Sequence, residues 1–107
     1  MKRGEVWWVN FDPSVGGEIQ KKRPAVIVSR DASNRHLNRL QVVPLTSSTG
    51  TLYPSEAYVN VAGRRSKAMA DQLGTVSKNR LGDRLGVVGV DDMESIERAI
   101  RVQLDLD

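Results

Sequence analysis

Through most of the chain, apolar residues fall in short bursts separated by polar, glycine- or proline-bearing stretches, the pattern of strands rather than helices. Glu5 to Asn10 is rich in strand formers and closes at Phe11-Asp12-Pro13, and the adjacent glycines of Ser14-Val15-Gly16-Gly17 predict a mobile loop. Pro24 to Val28 is continuously apolar and predicts a buried central strand, with Pro24 at its first position, where a missing N–H does little harm. Ser33 to Asn38 has room for one helical turn. Leu40 to Thr46 predicts a third strand, and Ala57–Val61 with Lys67–Asp71 a pair of strands around Ala62-Gly63-Arg64. A short helical turn is expected over Ser77–Leu81, ended by Gly82. A last strand is expected over Leu85–Val90, its Gly86 and Gly89 marking bends or close backbone contacts.

The pattern changes only at the end. Met93, Ile96, Ile100 and Leu104 recur at spacings of three and four, one face of a helix. Asp91 and Glu94 have the spacing of a capping box, and Glu94–Arg98 and Glu97–Arg101 are set for i,i+4 pairing. Five or more short strands and one terminal helix predict a mostly β, nearly closed barrel packed by a C-terminal α-helix.

Length and composition add bounds. The 107 residues make one domain, 1–107, with an ordinary apolar fraction of 39%. There is no cysteine, which excludes disulfides and thiolate metal sites and fits a reducing compartment. The basic start lacks the apolar stretch of a secretion signal, and no apolar run exceeds four residues, so the expected location is cytoplasmic with no membrane span. The net charge of +3 is modest but unevenly placed. Six basic residues and one acid lie between Lys21 and Arg39, six more with two acids between Gly63 and Arg84, and six acids with two arginines between Asp91 and Asp107. Such a division gives a positive face suited to a phosphate-rich partner, or to a protein tail or plain solvation.

The inventory of reactive groups is narrow. His36 is the one histidine, which excludes a two-histidine acid–base pair for cutting RNA. There is no Cys/His cluster, Gly-rich phosphate loop, nucleophile elbow or acidic metal cage, so no metal or cofactor is expected. Cleavage of RNA survives this list easily, because the substrate carries its own nucleophile in the 2′-OH. The protein then needs to align that hydroxyl with the leaving oxygen and to stabilise charge at phosphorus, work suited to an arginine fork and a nearby hydroxyl. Trp7 and Trp8, adjacent on a strand, point to opposite faces: one for the core, the other for the core as well, a subunit interface or a base.

Arg3-Gly4-Glu5-Val6-Trp7, Phe11-Asp12-Pro13, Gly16, Glu18 and Arg23-Pro24-Ala25-Val26-Ile27-Val28 together resemble the opening of the MazF/PemK toxin family. The resemblance continues through Asn34-Arg35, Val43-Pro44-Leu45-Thr46-Ser47, Asp71-Gln72 and Lys78-Asn79-Arg80-Leu81, and so spans nearly the whole chain. It implies an SH3-like small barrel, a homodimer, and an mRNA interferase: a metal-independent endoribonuclease that cuts single-stranded RNA at short motifs and leaves a 2′,3′-cyclic phosphate and a 5′-hydroxyl. It also implies a MazE-like antitoxin whose acidic tail lies in the RNA groove. By position, Arg23 takes the catalytic arginine's place, Thr46 that of the hydroxyl beside it, and Glu18 that of a loop acid able to orient Arg23 or accept a proton. Glu5, Lys22, Ser47, Asp71, Gln72 and Lys78 are the implied RNA contacts. Gly17 replaces a histidine found in some members, and Met69 replaces an arginine that pairs with the aspartate, which favours Arg23 and Thr46 over an Arg–Asp mechanism. A barrel that holds RNA or a protein tail without cutting, or a relative acting on DNA gyrase, would keep the same fold and charges.

Overall fold

A computed structural model describes all 107 residues. Seven strands run β1 (Glu5–Asn10), β2 (Lys22–Ile27), β3 (Arg39–Thr46), β4 (Glu56–Val61), β5 (Arg64–Met69), β6 (Gly74–Ser77) and β7 (Leu81–Val87), with helices α1 (Asp31–His36) and α2 (Val90–Leu104). They form one antiparallel sheet in the order β4-β5-β3-β2-β1-β7, with β6 on β3. The sheet curls so that its ends approach: a Cβ on Gly86 of β7 would stand 3.4 Å from Val61 of β4, so glycine there lets the barrel draw nearly shut. Gly89 has no such neighbour.

β3 is the hinge of this sheet. β2 pairs along one edge, while the other is shared by β6 at Arg39–Val42 and β5 at Leu45–Thr46. Pro44 falls just past the β6 ladder and before the β5 ladder, where its absent N–H costs least. Pro24 is the third residue of β2, not the first, and precedes the ladder with β3, which begins at Ala25. The β4–β5 turn has Ala62 at φ 51° and Gly63 at φ 75°, the two positive values that a tight hairpin turn matching strand twist demands.

Strand alternation divides the buried residues between two faces. Val6, Val26, Val43 and Leu45 pack with Val59, Val61 and Ala68 beneath Ile96 and Ala99 of α2. Val9, Ala25, Ile27, Leu40, Val42 and Val76 form the second cluster, covered by Trp7, Phe11 and Leu81. Met93 and Ile100 flank Ile96 as their spacing predicts, but Leu104 lies beyond the sheet and is exposed, while Ala99 is fully buried.

Several local expectations are corrected. Asp71 belongs not to a strand but to a 3₁₀ turn, Ala70–Gln72, and Gly82 lies inside β7, which begins at Leu81 and ends at Val87. The helical turn near residue 79 is a 3₁₀ turn over Lys78–Arg80. No capping box forms, since Gly89 is the N-cap of α2 and no side chain caps it; Asp92 instead accepts a hydrogen bond from Asn60 N–H at 2.9 Å. Glu97 pairs with Arg3 at 2.9 Å rather than with Arg101, and Glu94 makes no ion pair. No helix is long and apolar enough to cross a membrane.

Candidate nucleic-acid groove

The two basic regions of the sequence meet in space. A groove of about 410 Å³ opens at one end of the barrel, walled by Lys21 at the end of the β1–β2 loop, by Lys22 and Arg23 at the start of β2, and by Arg64 and Arg65 at the start of β5. Thr46 and Ser47 lie between them at the end of β3, and Trp8, Pro24, Leu45, Val61 and Leu85 line the remaining walls. Five cations therefore face the groove, and no Asp, Glu or His does. Like charges held on the walls of a concave surface reinforce one another's field, so the groove attracts polyanions.

Arg23 is half-buried, and its Nε–H donates to the Gln20 carbonyl at 3.2 Å. It makes no other hydrogen bond and no ion pair, so its two terminal NH₂ groups are free to grip an oxyanion. Thr46 Oγ1 accepts from Ser48 N–H at 3.2 Å, which leaves its hydroxyl proton to donate. The segment that follows is pinned from below. Lys67, buried on β5, bridges Glu56 at 3.1 Å and donates to Thr51 C=O at 2.7 Å; Tyr58 Oη donates to Thr49 C=O at 2.9 Å; Glu56 accepts from Tyr53 N–H at 2.9 Å. Ser47 and Ser48 thus stand on a braced loop.

Glu18, Asp71 and Gln72 are gathered elsewhere, in a second cleft of about 440 Å³ that also includes Phe11, Pro13 and Arg80. The loop between β1 and β2 lines both cavities. Glu18 accepts from Val15 N–H at 2.7 Å within that loop and makes no hydrogen bond or ion pair with Arg23. The Gln72 amide grips the same loop at two points, accepting from Ile19 N–H and donating to Gly17 C=O, both at 3.2 Å. Arg80 holds the loop's entrance through Asn10 and Asp12 carbonyls at 3.0 and 2.6 Å, and Asp12 accepts from Lys21 N–H at 2.9 Å.

The other two predicted contacts lie in neither cavity. Lys78 donates through Nζ to the Asn34 carbonyl, fastening α1 to the sheet. Glu5 accepts from Lys2 N–H at 2.9 Å and from the Trp7 indole at 3.0 Å, and pairs with Arg84 at 3.4 Å. Burial works against ionisation of Glu5, but those hydrogen bonds, with the N-terminus and Arg84, outweigh it and hold the carboxyl below its ordinary 4.5. Asp31 is likewise lowered from 3.8, chiefly by the Arg3 N–H it accepts at 2.7 Å.

Of the predicted residues, Arg23, Thr46, Lys22 and Ser47 share one groove. Arg64 and Arg65 join them without any local motif marking them for the site, and of the two tryptophans, one of which the sequence offers to a base, it is Trp8 that lines the groove. The basic composition of 63–84 was the available signal for the arginines, and the oppositely directed tryptophan pair that for Trp8. No group of three or more His, Asp or Glu side chains gathers where it could hold a metal ion.

Comparison with known proteins fits this geometry to a family. A family model described as PemK-like, MazF-like toxin of type II toxin-antitoxin system matches residues 2–104. The chain is 34% identical over 115 aligned positions to Endoribonuclease MazF9 of Mycobacterium tuberculosis, covering 99% of this chain and 98% of that protein. It is 31% identical over 100 positions to the Endoribonuclease toxin MazF of Escherichia coli K12, covering 92% and 89%. Among solved structures, a mycobacterial endoribonuclease in complex with its cognate antitoxin aligns at TM-score 0.84 and 29% identity, over 100% of this chain and 97% of that one. MazF from Deinococcus radiodurans aligns at TM-score 0.87 and 25% identity, over 99% and 97%.

Proposed function

The chain belongs to the PemK-like, MazF-like toxin family of type II toxin–antitoxin systems, and we propose that it cuts single-stranded RNA, without a metal ion, at the Arg23 end of the basic groove. As an endoribonuclease toxin it is the half of its system that acts on RNA. The observation that carries the chemistry is the groove's lining of five cations and no acid, with an arginine whose terminal donors are free beside a hydroxyl.

In this reading the 2′-OH attacks the adjacent phosphorus, a new P–O2′ bond forms and the P–O5′ bond breaks, giving a 2′,3′-cyclic phosphate and a 5′-hydroxyl. Arg23 meets the non-bridging oxygens with its two terminal NH₂ groups and Thr46 donates a further hydrogen bond, so both act most strongly as charge builds at phosphorus. Lys22 and Ser47 hold the neighbouring backbone. No carboxylate or imidazole lines the groove, so the 2′-OH proton leaves to water or to Glu18 once the β1–β2 loop moves, and the departing O5′ takes a proton from water. Asp71 and Gln72 act from the second cleft, on the loop or on an RNA strand that continues past it. Glu5 and Lys78 serve the fold.

The same groove suits the acidic tail of a MazE-like antitoxin, which competes with RNA for the cations. The working form is a homodimer acting in the cytoplasm, where its RNA substrates are. The test is incubation with a long single-stranded RNA in EDTA, mapping new 5′ ends, with Arg23→Ala alongside. Cuts at one recurring short motif that the variant does not make support the proposal. Absence of cutting by the wild-type protein, with salt-sensitive RNA retention by both, replaces it with a binding module on the same barrel.

A further inference from the structure

We infer that Trp8 and Arg64 form a nucleotide subsite next to the scissile phosphate, with Trp8 stacking a base and Arg64 holding the phosphate beside it. The inference rests on the reading of the groove as an RNA site and adds a residue class to it: a sequence-tolerant aromatic platform.

Trp7 and Trp8 divide their work. Trp7 covers the second core cluster and donates its indole N–H to Glu5 at 3.0 Å. Trp8 is 41% exposed, makes no hydrogen bond through its indole, and lines the groove. By strand alternation it shares the face of buried Val6, at the place where that core gives way to the groove. Pro24, Leu45 and Leu85 line the same groove, which leaves an apolar surface bordered by cations. A flat apolar surface ringed by positive charge matches a nucleotide, whose base is flat and whose phosphate is anionic.

Arg64 is exposed at the β4–β5 turn and has no ion pair or hydrogen-bond partner, so its guanidinium is uncommitted. Arg65 differs, lying over the Tyr58 ring at 3.7 Å. An exposed tryptophan also suits a subunit interface. A two-fold interface centred here, however, would bring one set of five cations against its copy, and like charges facing each other oppose association. The charges favour RNA.

The experiment uses the cleavage motif mapped for the wild-type protein. An oligonucleotide carrying that motif, with a 2′-deoxy residue at the cut, is titrated against a Trp7→Phe protein in which Trp8 is the only tryptophan. Stacking quenches its fluorescence. Cleavage kinetics of Trp8→Ala, Trp8→Phe and Arg64→Gln are measured in parallel, with sedimentation of each. We expect Trp8→Ala to raise KM by about 10- to 100-fold with kcat little changed, and Trp8→Phe to restore most of it. Arg64→Gln should lower the slope of log affinity against log salt by about 0.7. If the wild-type protein neither binds nor cuts RNA, the RNA reading itself fails. If it cuts normally while Trp8→Ala keeps its KM or Trp8 fluorescence ignores the oligonucleotide, the subsite is overturned and the function stands. Dissociation of Trp8→Ala into monomers assigns Trp8 to the subunit interface and overturns the subsite too.

Discussion

Thr46 and Lys67 stand directly opposite each other across the β3–β5 ladder, so the proposed phosphate-binding hydroxyl shares its register with a buried cation. That cation is matched: Lys67 bridges Glu56 at 3.1 Å with both side chains about 10% exposed, and it reaches Thr51 C=O in the loop that follows Thr46. Removing one member of a buried pair leaves the other charge without compensation. Lys67→Met should therefore cost about 3–5 kcal/mol in urea unfolding. The double variant Lys67→Met/Glu56→Gln should recover much of that loss. A single variant as stable as wild type would show that the pair does not brace the loop.

The β1–β2 loop is held by the Gln72 amide, which touches Ile19 N–H and Gly17 C=O at once. Gln72→Ala deletes both hydrogen bonds at a partly exposed site, so global stability should fall by only about 1 kcal/mol. Local opening should respond much more. Limited proteolysis within residues 13–20 should speed up well beyond what the global loss explains. Gln72→Glu keeps the acceptor for Ile19 and loses the donor to Gly17, and should fall between the two. Equal cleavage rates in all three proteins would mean that the loop is held by Arg80 and Asp12 alone.

Much of this architecture is legible in the sequence, and the misses have physical causes. β1, β2 and β3 show as apolar bursts because both faces of the sheet are covered at its centre. β6 is not visible, since only Val76 of its four residues is buried and it exists by pairing with β3. The N-terminal part of β7 is equally silent because Gly82, Asp83 and Arg84 are exposed. Asp91 and Glu94 have the right spacing for a cap, yet the chain enters α2 two residues earlier, from Gly89, and tertiary contacts claim Asp92 and Glu97 instead. Within the site, Arg23 and Thr46 are recognisable from the residues around them. That Arg64 and Trp8 line one groove is not, because it depends on the curl of the sheet, which no local pattern records.

Acid should unfold the protein partly through its N-terminal segment. Glu5 and Asp31 both have carboxyls lowered from their ordinary 4.5 and 3.8. Each binds a proton more weakly in the folded chain than in the unfolded one, so its contribution is fully present above the unfolded value. It is lost as pH falls below about 4.5 and through the lower folded values. The urea midpoint should thus be insensitive to these groups above about pH 5 and drop towards pH 3. Glu5→Gln should start lower at neutral pH and fall less steeply on acidification. An unchanged slope in that variant would mean that Glu5 is not among the groups that set acid stability.

The most discriminating substitution at the groove is Arg23→Lys, compared with Arg23→Ala. A lysine keeps the charge, so if Arg23 only attracts RNA, Arg23→Lys should cut nearly as well as wild type. The geometry argues otherwise. Arg23 uses Nε to hold the Gln20 carbonyl at 3.2 Å and has both terminal nitrogens left over, an anchored fork that a single ammonium cannot reproduce. Loss of one such preorganised donor group from a charge-stabilising site lowers turnover by about 10²–10³. Arg23→Ala should lie in that range with its circular dichroism and RNA retention intact, and Arg23→Lys should lie much nearer to it than to wild type. The readout is single-turnover cleavage at saturating RNA, where differences in binding no longer contribute. A lysine variant with near-normal turnover would reduce Arg23 to a point charge and move the search for the stabilising group to Thr46 and Lys22.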